Sequence, residues 1–372
     1  MNSNHRVNVV RIEAIHQHTN ADTLGIVYIG GYQCVVKKDD YKVGDLAVYL
    51  QPDSVVPQLE QFKFLWADRE YTDGVVPEKK RRITVRRFRK EWSEGLLLPL
   101  IEFGYLVDTE AKYAYHPSLG LCIKEGDDVS EILGITHYEE PEPGFSTENP
   151  KRKPTLWQRI LKYFGLGPKP YGPKGTFPTF DVESLKNYPR ALVEGEPVLV
   201  TEKIHGSNAR YLFDGKKFWV GSHKAWRRHD GNNIWSKAAE KYPWIEEFCR
   251  EWPGFLLVGE VTPTQTGYPY GFETEVQFFV IDLRRPDGSW VSKVCLYKLK
   301  EIIRFVPVLY EGPYDMAKMV GLAEGNSTVL GAKNIREGVV VSALEERTIR
   351  GVGRPQLKLK SMAFLEREGK KK

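Results

Sequence analysis

The chain reads as an α+β protein in two parts: a small N-terminal β-barrel, then a larger domain of mixed strands and helices with antiparallel sheets. Three observations predict this. The 372 residues suit two domains. The first stretch, residues 1–140, consists of short strand-length apolar runs separated by turns, the pattern of a barrel. From residue 178 onward, strand-like and helix-like periods alternate.

Each element follows from its local pattern. In the barrel Val7–Ile15 alternates, Gly25–Ile29 and Tyr32–Val36 follow, and Gly44-Asp45 turns the chain into Leu46–Leu50. Glu94–Leu100 adds a strand after a basic cluster. The breaker strings Glu139–Gly144 and Gly165–Pro170 mark residues 141–177 as a linker. Between them Leu156, Trp157, Ile160, Leu161 and Phe164 share one helical face, which reads as a short amphipathic helix packing the domains together. A membrane-surface helix is the alternative. In the second domain, residues 178–372, Lys237–Arg250 is helical with an interruption at Pro243. Val276–Asp282 is a strand, and Tyr297–Ile303 starts another helix.

Composition excludes several classes. With 41% hydrophobic and 28% charged residues the chain can bury cores and is not a disordered polymer. No apolar run approaches the ~20 residues of a membrane span, and Met1–Arg6 lacks the apolar stretch of a signal peptide. No pair among Cys34, Cys122, Cys249 and Cys295 has zinc-ligand or redox spacing. Reduced thiols in a cytoplasmic setting are expected. The net charge of +5 is mild, but its distribution is uneven. Lys79–Arg82 and Arg86–Lys90 form one basic cluster, Lys151–Lys153 a second and Lys370–Lys372 a third, the last reading as a solvated tail. Such clusters are the footprint of a polyanion. The candidate nucleic-acid residues are Arg81, Arg82, Arg86, Arg87 and Arg89.

The chemistry centres on Lys203. Pro197–Val200 reads as a short buried strand that delivers Thr201-Glu202-Lys203 to a polar turn, where Gly206 permits unusual backbone geometry. A lysine there faces a pocket, and nearby positive charge or desolvation lowers its pKa and makes it nucleophilic. The string Lys203-Ile204-His205-Gly206-Ser207-Asn208 resembles motif I of the covalent nucleotidyltransferases, namely ATP-dependent DNA ligases, RNA ligases and mRNA capping enzymes. Their shared pattern is Lys-x-Asp-Gly. With His205 in the third place and Asn208 at the end, it is similar to the nick-sealing RNA ligases.

Four further strings fall in the order that the family requires. Leu256–Glu260 resembles motif III, which implies that Glu260 contacts the ATP ribose or a hydrated metal. Phe278–Asp282 resembles motif IIIa, whose aromatic ring stacks on adenine, and spacing from Asp282 selects Phe278. Arg336–Val341 resembles motif IV, making Glu337 a ligand of Mg²⁺ or Mn²⁺, directly or through water. Gln356–Ser361 resembles motif V. Lys358 and Lys360, two apart on a strand, face one side and would neutralise a triphosphate. The resemblance also implies that Glu202 accepts from the adenine amino group, that His205 belongs to the active-site turn, and that Asn208 serves the sealing step on nucleic acid. Ser222-His223-Lys224 resembles motif Ia, with Lys224 where relatives carry arginine. In the segment Phe180–Asn187 an arginine is common near Ser184, and Lys186 or Arg190 would have to replace it.

The catalytic residues expected on this basis are Lys203, Glu260, Glu337, Lys358 and Lys360. Metal falls to Glu260 and Glu337, and ATP to those five with Glu202, His205, Asn208, Lys224 and Phe278. The strings His18–Leu24, Lys42–Asp45 and Pro52–Ser54 resemble the N-terminal OB-like domain of one RNA ligase group, and only Met362–Lys372 follows motif V. This order is similar to RNA ligase family 5. It implies an OB-like β-barrel ahead of an α+β nucleotidyltransferase domain, an ATP-grasp-like ligase fold. The expected reaction is sealing of 3′-hydroxyl/5′-phosphate nicks in duplex RNA or an RNA/DNA hybrid, through lysyl-AMP and an adenylated 5′ end, by a monomer. A DNA ligase, a capping-type guanylyltransferase and a catalytically degenerate RNA-binding protein are the alternatives.

Overall fold

The computed structural model describes residues 6–67, 71, 74–108, 113–138, 171–175, 177, 182–223, 225–262, 270, 275–300, 302–349 and 352–370. The amphipathic helix expected at Leu156–Phe164, the Lys151–Lys153 cluster, Lys224, Phe180 and Asp181, and Lys371-Lys372 lie outside the described residues. The chain divides into two units. One comprises Met1–Glu140, Ser184–Pro189 and Ser361–Lys372, the other Pro141–Glu183 and Arg190–Lys360.

In the first unit Leu46–Leu50 is buried at every position because it is covered on both faces and both edges. It pairs antiparallel with Asn8–Arg11 on one edge and Leu96–Pro99 on the other. Its side chains alternate between two cores. Leu46, Val48 and Leu50 join Phe62, Leu100 and Tyr105, while Ala47 and Tyr49 join Ile12, Val27 and Cys34. His16–Gln17, Leu24–Ile29 and Tyr32–Lys37 form an antiparallel meander. Arg86–Phe88 and Glu91–Ser93 form a hairpin. Lys186, a candidate stand-in for the missing arginine, is spent inside this unit on an ion pair with Glu94, which is 5% exposed.

The second unit carries two antiparallel sheets. In one, Gln356–Lys360, Gly338–Ala343, Pro197–Glu202 and Val308–Pro313 lie side by side in that order. In the other the order is Trp226–Arg227, Phe218–Gly221, Ser207–Phe213, Leu256–Thr262 and Gln277–Arg284. Helices Ile234–Lys241 and Trp244–Glu251 supply side chains to the core of the second sheet. The first is capped by Asn233, whose side chain accepts from Ser236 N at 2.9 Å. Pro243 separates the two, as its ring demands. One expectation fails: the helix placed at Tyr297–Ile303 is instead Lys293–Tyr297. Ser292 caps it by accepting from Cys295 N at 3.3 Å, so the helix starts earlier and ends where it was expected to begin.

Candidate active site

The two sheets of the second unit meet at a cavity of about 210 Å³. Thr201, Glu202, Val340, Gln356 and Lys358 line it from the first sheet, and Asn208, Glu260 and Ile281 from the second. Lys203 and Ile204 line the connection between them. Lys203 leaves the end of its strand with its N–H donating to Gly338 O at 2.9 Å, so its backbone is fixed as the chain turns. Its Nζ lies 2.8 Å from Glu337 Oε1. His205 Nδ1 lies 3.2 Å from Glu337 Oε2, and its own N–H donates to Tyr270 Oη at 2.7 Å.

Two glycines make this packing possible. A Cβ on Gly206 would lie 2.4 Å from Val261 O and 2.8 Å from Glu260 Cγ, so only glycine lets the turn reach the Glu260 strand. There Gly206 N donates to Glu260 Oε1 at 3.1 Å. Gly338 has φ +150°, and a Cβ on it would sit 2.2 Å from Leu359 O. Its bare backbone brings Glu337 beside the strand that carries Lys358 and Lys360.

The two carboxylates are set apart electrostatically. Glu260 is pushed up to about 8, by burial first and then by the nearby charge of Glu337, with Lys203 and the Gly206 N–H opposing. Burial also pushes Glu337 upward. There it is outweighed by the Lys203 ammonium, the hydrogen bond and charge of His205, and Lys360, which together hold Glu337 well below the usual carboxylate range. Asn208 lies opposite Glu260 in the strand ladder and shares its face. Its Oδ1 is buried without a hydrogen-bond partner. Lys358 pairs with Val340 and Lys360 with Gly338, so the two lysines face one side.

The site therefore joins a lysine, two carboxylates of opposed proton affinity, further cations and an unsatisfied amide beside an apolar recess. Among the described residues no group of three or more His, Cys, Asp or Glu side chains is placed to hold a metal. The donor set on offer is Glu260 with Glu337. That fits Mg²⁺ or Mn²⁺, which take few carboxylates and keep water or phosphate oxygens as their other ligands.

The structure corrects one of the expected roles and adds a support to another. Phe278 does not reach the cavity. It is 1% exposed and packs edge-on against Tyr211, with centroids 5.1 Å apart, on the helix side of its sheet. The reason is a bulge: Val258 pairs with Asp282 and Gly259 with Val280, which leaves Ile281 as an extra residue. Ile281 and Val340 line the cavity, which Phe278 does not. Glu202 lines the cavity as expected, and its carboxylate is oriented by two residues distant in sequence. Oε1 accepts from Ser327 Oγ at 2.5 Å, and Oε2 accepts from Thr328 N and Thr328 Oγ1, both at 2.7 Å.

Two groups carry no short-range signal in the sequence. Ser327-Thr328 lies far along the chain from Glu202. The buried Asp282 pairs with Lys293 at 2.9 Å and also with Arg354, and Lys293 lines the cavity along with Ile281. Burial lowers the Lys293 pKa, with Asp282 opposing. The segment Phe278–Asp282 pointed to the aspartate, but nothing local pointed to its partners.

The basic cluster of the N-terminal unit divides. Arg81 is not free for nucleic acid: Nε donates to Val76 O at 2.9 Å and Nη1 to Val56 O at 2.6 Å. Arg82 is paired with Asp53 at 2.5 Å and lies over the Tyr138 ring at 4.3 Å. Both guanidiniums brace their own domain. Arg86, Arg87 and Arg89 are all exposed, and Arg87 stacks on Trp92 at 3.9 Å.

Comparisons agree with this architecture. An OB-fold domain model matches residues 6–100, and an RNA ligase family model matches residues 196–360. No curated protein matches by sequence at comparable stringency. Among solved structures, an apo mutant of Naegleria gruberi RNA ligase is 23% identical with a TM-score of 0.71, covering 99% of each chain. A mutant of the same ligase with ATP and Mn is 23% identical with a TM-score of 0.71, covering 97% of this chain and 98% of that one. Another with AMP and Mn is 22% identical, with a TM-score of 0.72 and 98% of each chain covered. These likenesses establish the fold. No helix among the described residues is long and apolar enough to cross a membrane.

Proposed function

We propose that this chain, an ATP-dependent RNA ligase with an N-terminal OB-fold domain, seals 3′-hydroxyl/5′-phosphate nicks in duplex RNA or an RNA/DNA hybrid through lysyl-AMP at Lys203. The observation that carries the reading is Lys203 Nζ held 2.8 Å from Glu337 at a cavity that Glu260, Asn208 and Lys358 also line. The ATP-, AMP- and Mn-bound forms of the similar Naegleria ligase support the choice of nucleotide and metal.

In this mechanism the adenine enters the recess between Ile281 and Val340, with its amino group toward Glu202. Lys203, as the free amine, attacks the α-phosphorus and pyrophosphate leaves, giving a phosphoramidate. Lys358 and Lys360 offset the charge of the leaving group. His205 orients Glu337. A divalent cation bound by Glu260 and Glu337 would neutralise charge on the phosphates. AMP then passes to a 5′-phosphate, forming a 5′–5′ pyrophosphate. A 3′-hydroxyl attacks that end with AMP as the leaving group, and Oδ1 of Asn208, buried without a partner, would accept from the hydroxyl. The rest is positioning. We further propose that the protein works as a monomer in the cytoplasm, in keeping with its free cysteines.

The test is incubation with α-labelled ATP or GTP and a divalent cation, followed by nicked duplexes with RNA or DNA at the 3′-hydroxyl side. Acid-labile label from ATP that is absent in Lys203→Ala, and sealing that requires an RNA 3′ end, are expected. Label from GTP instead would indicate capping chemistry. No label after pyrophosphate treatment would sink the ligase mechanism.

A further inference from the structure

We propose that the Arg86–Ser93 hairpin is a clamp on the phosphate backbone of the nucleic acid, gripping with Arg89 and Lys90 at its tip, and that the His18–Asn20 loop holds that tip in shape. The proposal rests on the RNA-ligase reading only for the identity of the polyanion.

The hairpin closes with a two-residue loop, since Phe88 pairs with Glu91 across it. Both loop residues have left-handed backbone, Arg89 at φ +45° and Lys90 at φ +79°. Such turns favour Asn-Gly or Asp-Gly, because side chains with a full Cβ strain there. Nothing in the turn itself asks for an arginine and a lysine. A strained conformation persists only where its surroundings over-determine it, and such strain clusters at functional sites.

The surroundings here are specific. Asn20 Nδ2 donates to Arg89 O at 3.1 Å. His18 is 2% exposed, and its Nδ1 accepts from Asn20 N at 3.0 Å. That leaves Nε2 as the donor to Phe88 O at 3.1 Å. Thr19 Oγ1 donates to Glu91 Oε1 at 2.6 Å. On the other edge Gln33 Nε2 donates to Trp92 O at 3.0 Å, and Val35 N donates to Ser93 Oγ at 3.0 Å. Three successive residues of one loop thus bond three of the four residues at and beside the bend.

What this framework presents is positive charge. Arg86, Arg89 and Lys90 are exposed, and no ion pair engages them among the described residues. Arg87 is stiffened on Trp92, and Phe88 is 44% exposed beside them. The one carboxylate at the bend, Glu91, is occupied by Thr19 and Gln33. Arg81 and Arg82, close in sequence, are engaged by their own partners, so the exposed arginines of the cluster are those of the hairpin. Exposed cations on a rigid strained turn suit phosphate contacts, which position nucleic acid without reading its sequence.

The test measures affinity of the full-length protein for a nicked RNA duplex across salt concentrations. Arg89→Gln with Lys90→Gln should weaken binding about tenfold and flatten the log–log salt slope by about 0.9 per lost contact. Lys90→Gly should weaken binding while leaving Tm unchanged or higher, because glycine suits the backbone there. Asn20→Ala should weaken binding with every charge in place. A double variant that matches the parent in affinity and slope overturns the clamp, as does a loss of lysyl-AMP formation equal to the loss of binding. Parent-like binding by Asn20→Ala overturns the role of the loop. Preference for an acidic protein over the duplex also overturns the assignment. A parent that binds no nicked duplex fails together with the RNA-ligase reading, whereas a parent that binds beside indifferent variants sinks the clamp alone.

Discussion

Replacing Glu260 with Gln should flatten the pH dependence of stability between about pH 5 and pH 8 in metal-free buffer. Glu260 is pushed up to about 8 by burial and by Glu337, from an unfolded value near 4.3. The folded chain therefore binds this proton more tightly than the unfolded chain does. The stability it contributes is fully present below the unfolded pKa and is lost as pH rises through the folded value. Between pH 6 and pH 8 the loss is about 2 kcal/mol, from 1.36 kcal/mol per unit less the rounding of the curve near its midpoint. For a unit of this size that is a fall in Tm of roughly 4–8 °C. Glutamine mimics the protonated acid and cannot lose that proton. Thermal melts of both proteins across pH 5–9 with EDTA isolate the effect, because every other titrating group is common to the pair. Glu337 has the opposite sign: its pKa is depressed, so the stability it contributes is present above the unfolded value and lost as pH falls below it, outside this window. Parallel melting curves for the two proteins would refute the reasoning.

Other outcomes follow from the same geometry. Ile281→Ala should raise the KM for ATP about tenfold, a loss of roughly 1.4 kcal/mol of apolar contact, with little change in Tm. Phe278→Ala should instead cost about 3–5 kcal/mol of stability by opening a core cavity, and equal KM effects from the two would restore Phe278 as the base platform. Thr328→Val removes one of three hydrogen bonds to Glu202 and should raise the KM for ATP about tenfold while narrowing the preference over GTP, with Thr328→Ser close to the parent. Steady-state lysyl-AMP formation with both nucleotides checks this. Asp282→Asn strips the counter-charge from Lys293, leaves Arg354 with Glu346 alone, and should cost about 3–5 kcal/mol in a denaturant melt, and a cost below 1 kcal/mol would mean that the cluster relaxes into solvent.

How much of this was legible in the sequence depends on the range over which each signal acts. Alternation is local, so Leu46–Leu50 and its neighbours were readable as strands, and the split between two cores follows from period two alone. The strings around Lys203, Glu260, Glu337 and Lys358 were readable through their resemblance to the motifs of a known family, each a few consecutive residues long. Misreadings arise where the deciding partner is distant or the ladder slips. Phe278 sits at a sensible count from Asp282, but a single extra residue at Ile281 breaks the count, and no local pattern marks that bulge. The hydrogen bonds that orient Glu202 were not legible, because Ser327 and Thr328 lie more than a hundred residues away.

The basic cluster shows the limit most clearly. In one dimension Arg81, Arg82, Arg86 and Arg89 are equivalent charges. Asp53, 29 residues from Arg82, makes one of them a brace, while the left-handed backbone at Arg89 and Lys90 makes the other end a displayed tip. An Asn-Gly at that bend would satisfy every local preference. Local agreement is what makes a chain fold, so a local rule broken at a position that a separate loop must then brace calls for a reason other than folding. Charge alone does not supply it, since the same lysine on the flanking strand would be equally soluble and unstrained. The reason has to be positional, and a two-residue turn is the smallest element that fixes two cations at adjacent points on a rigid support.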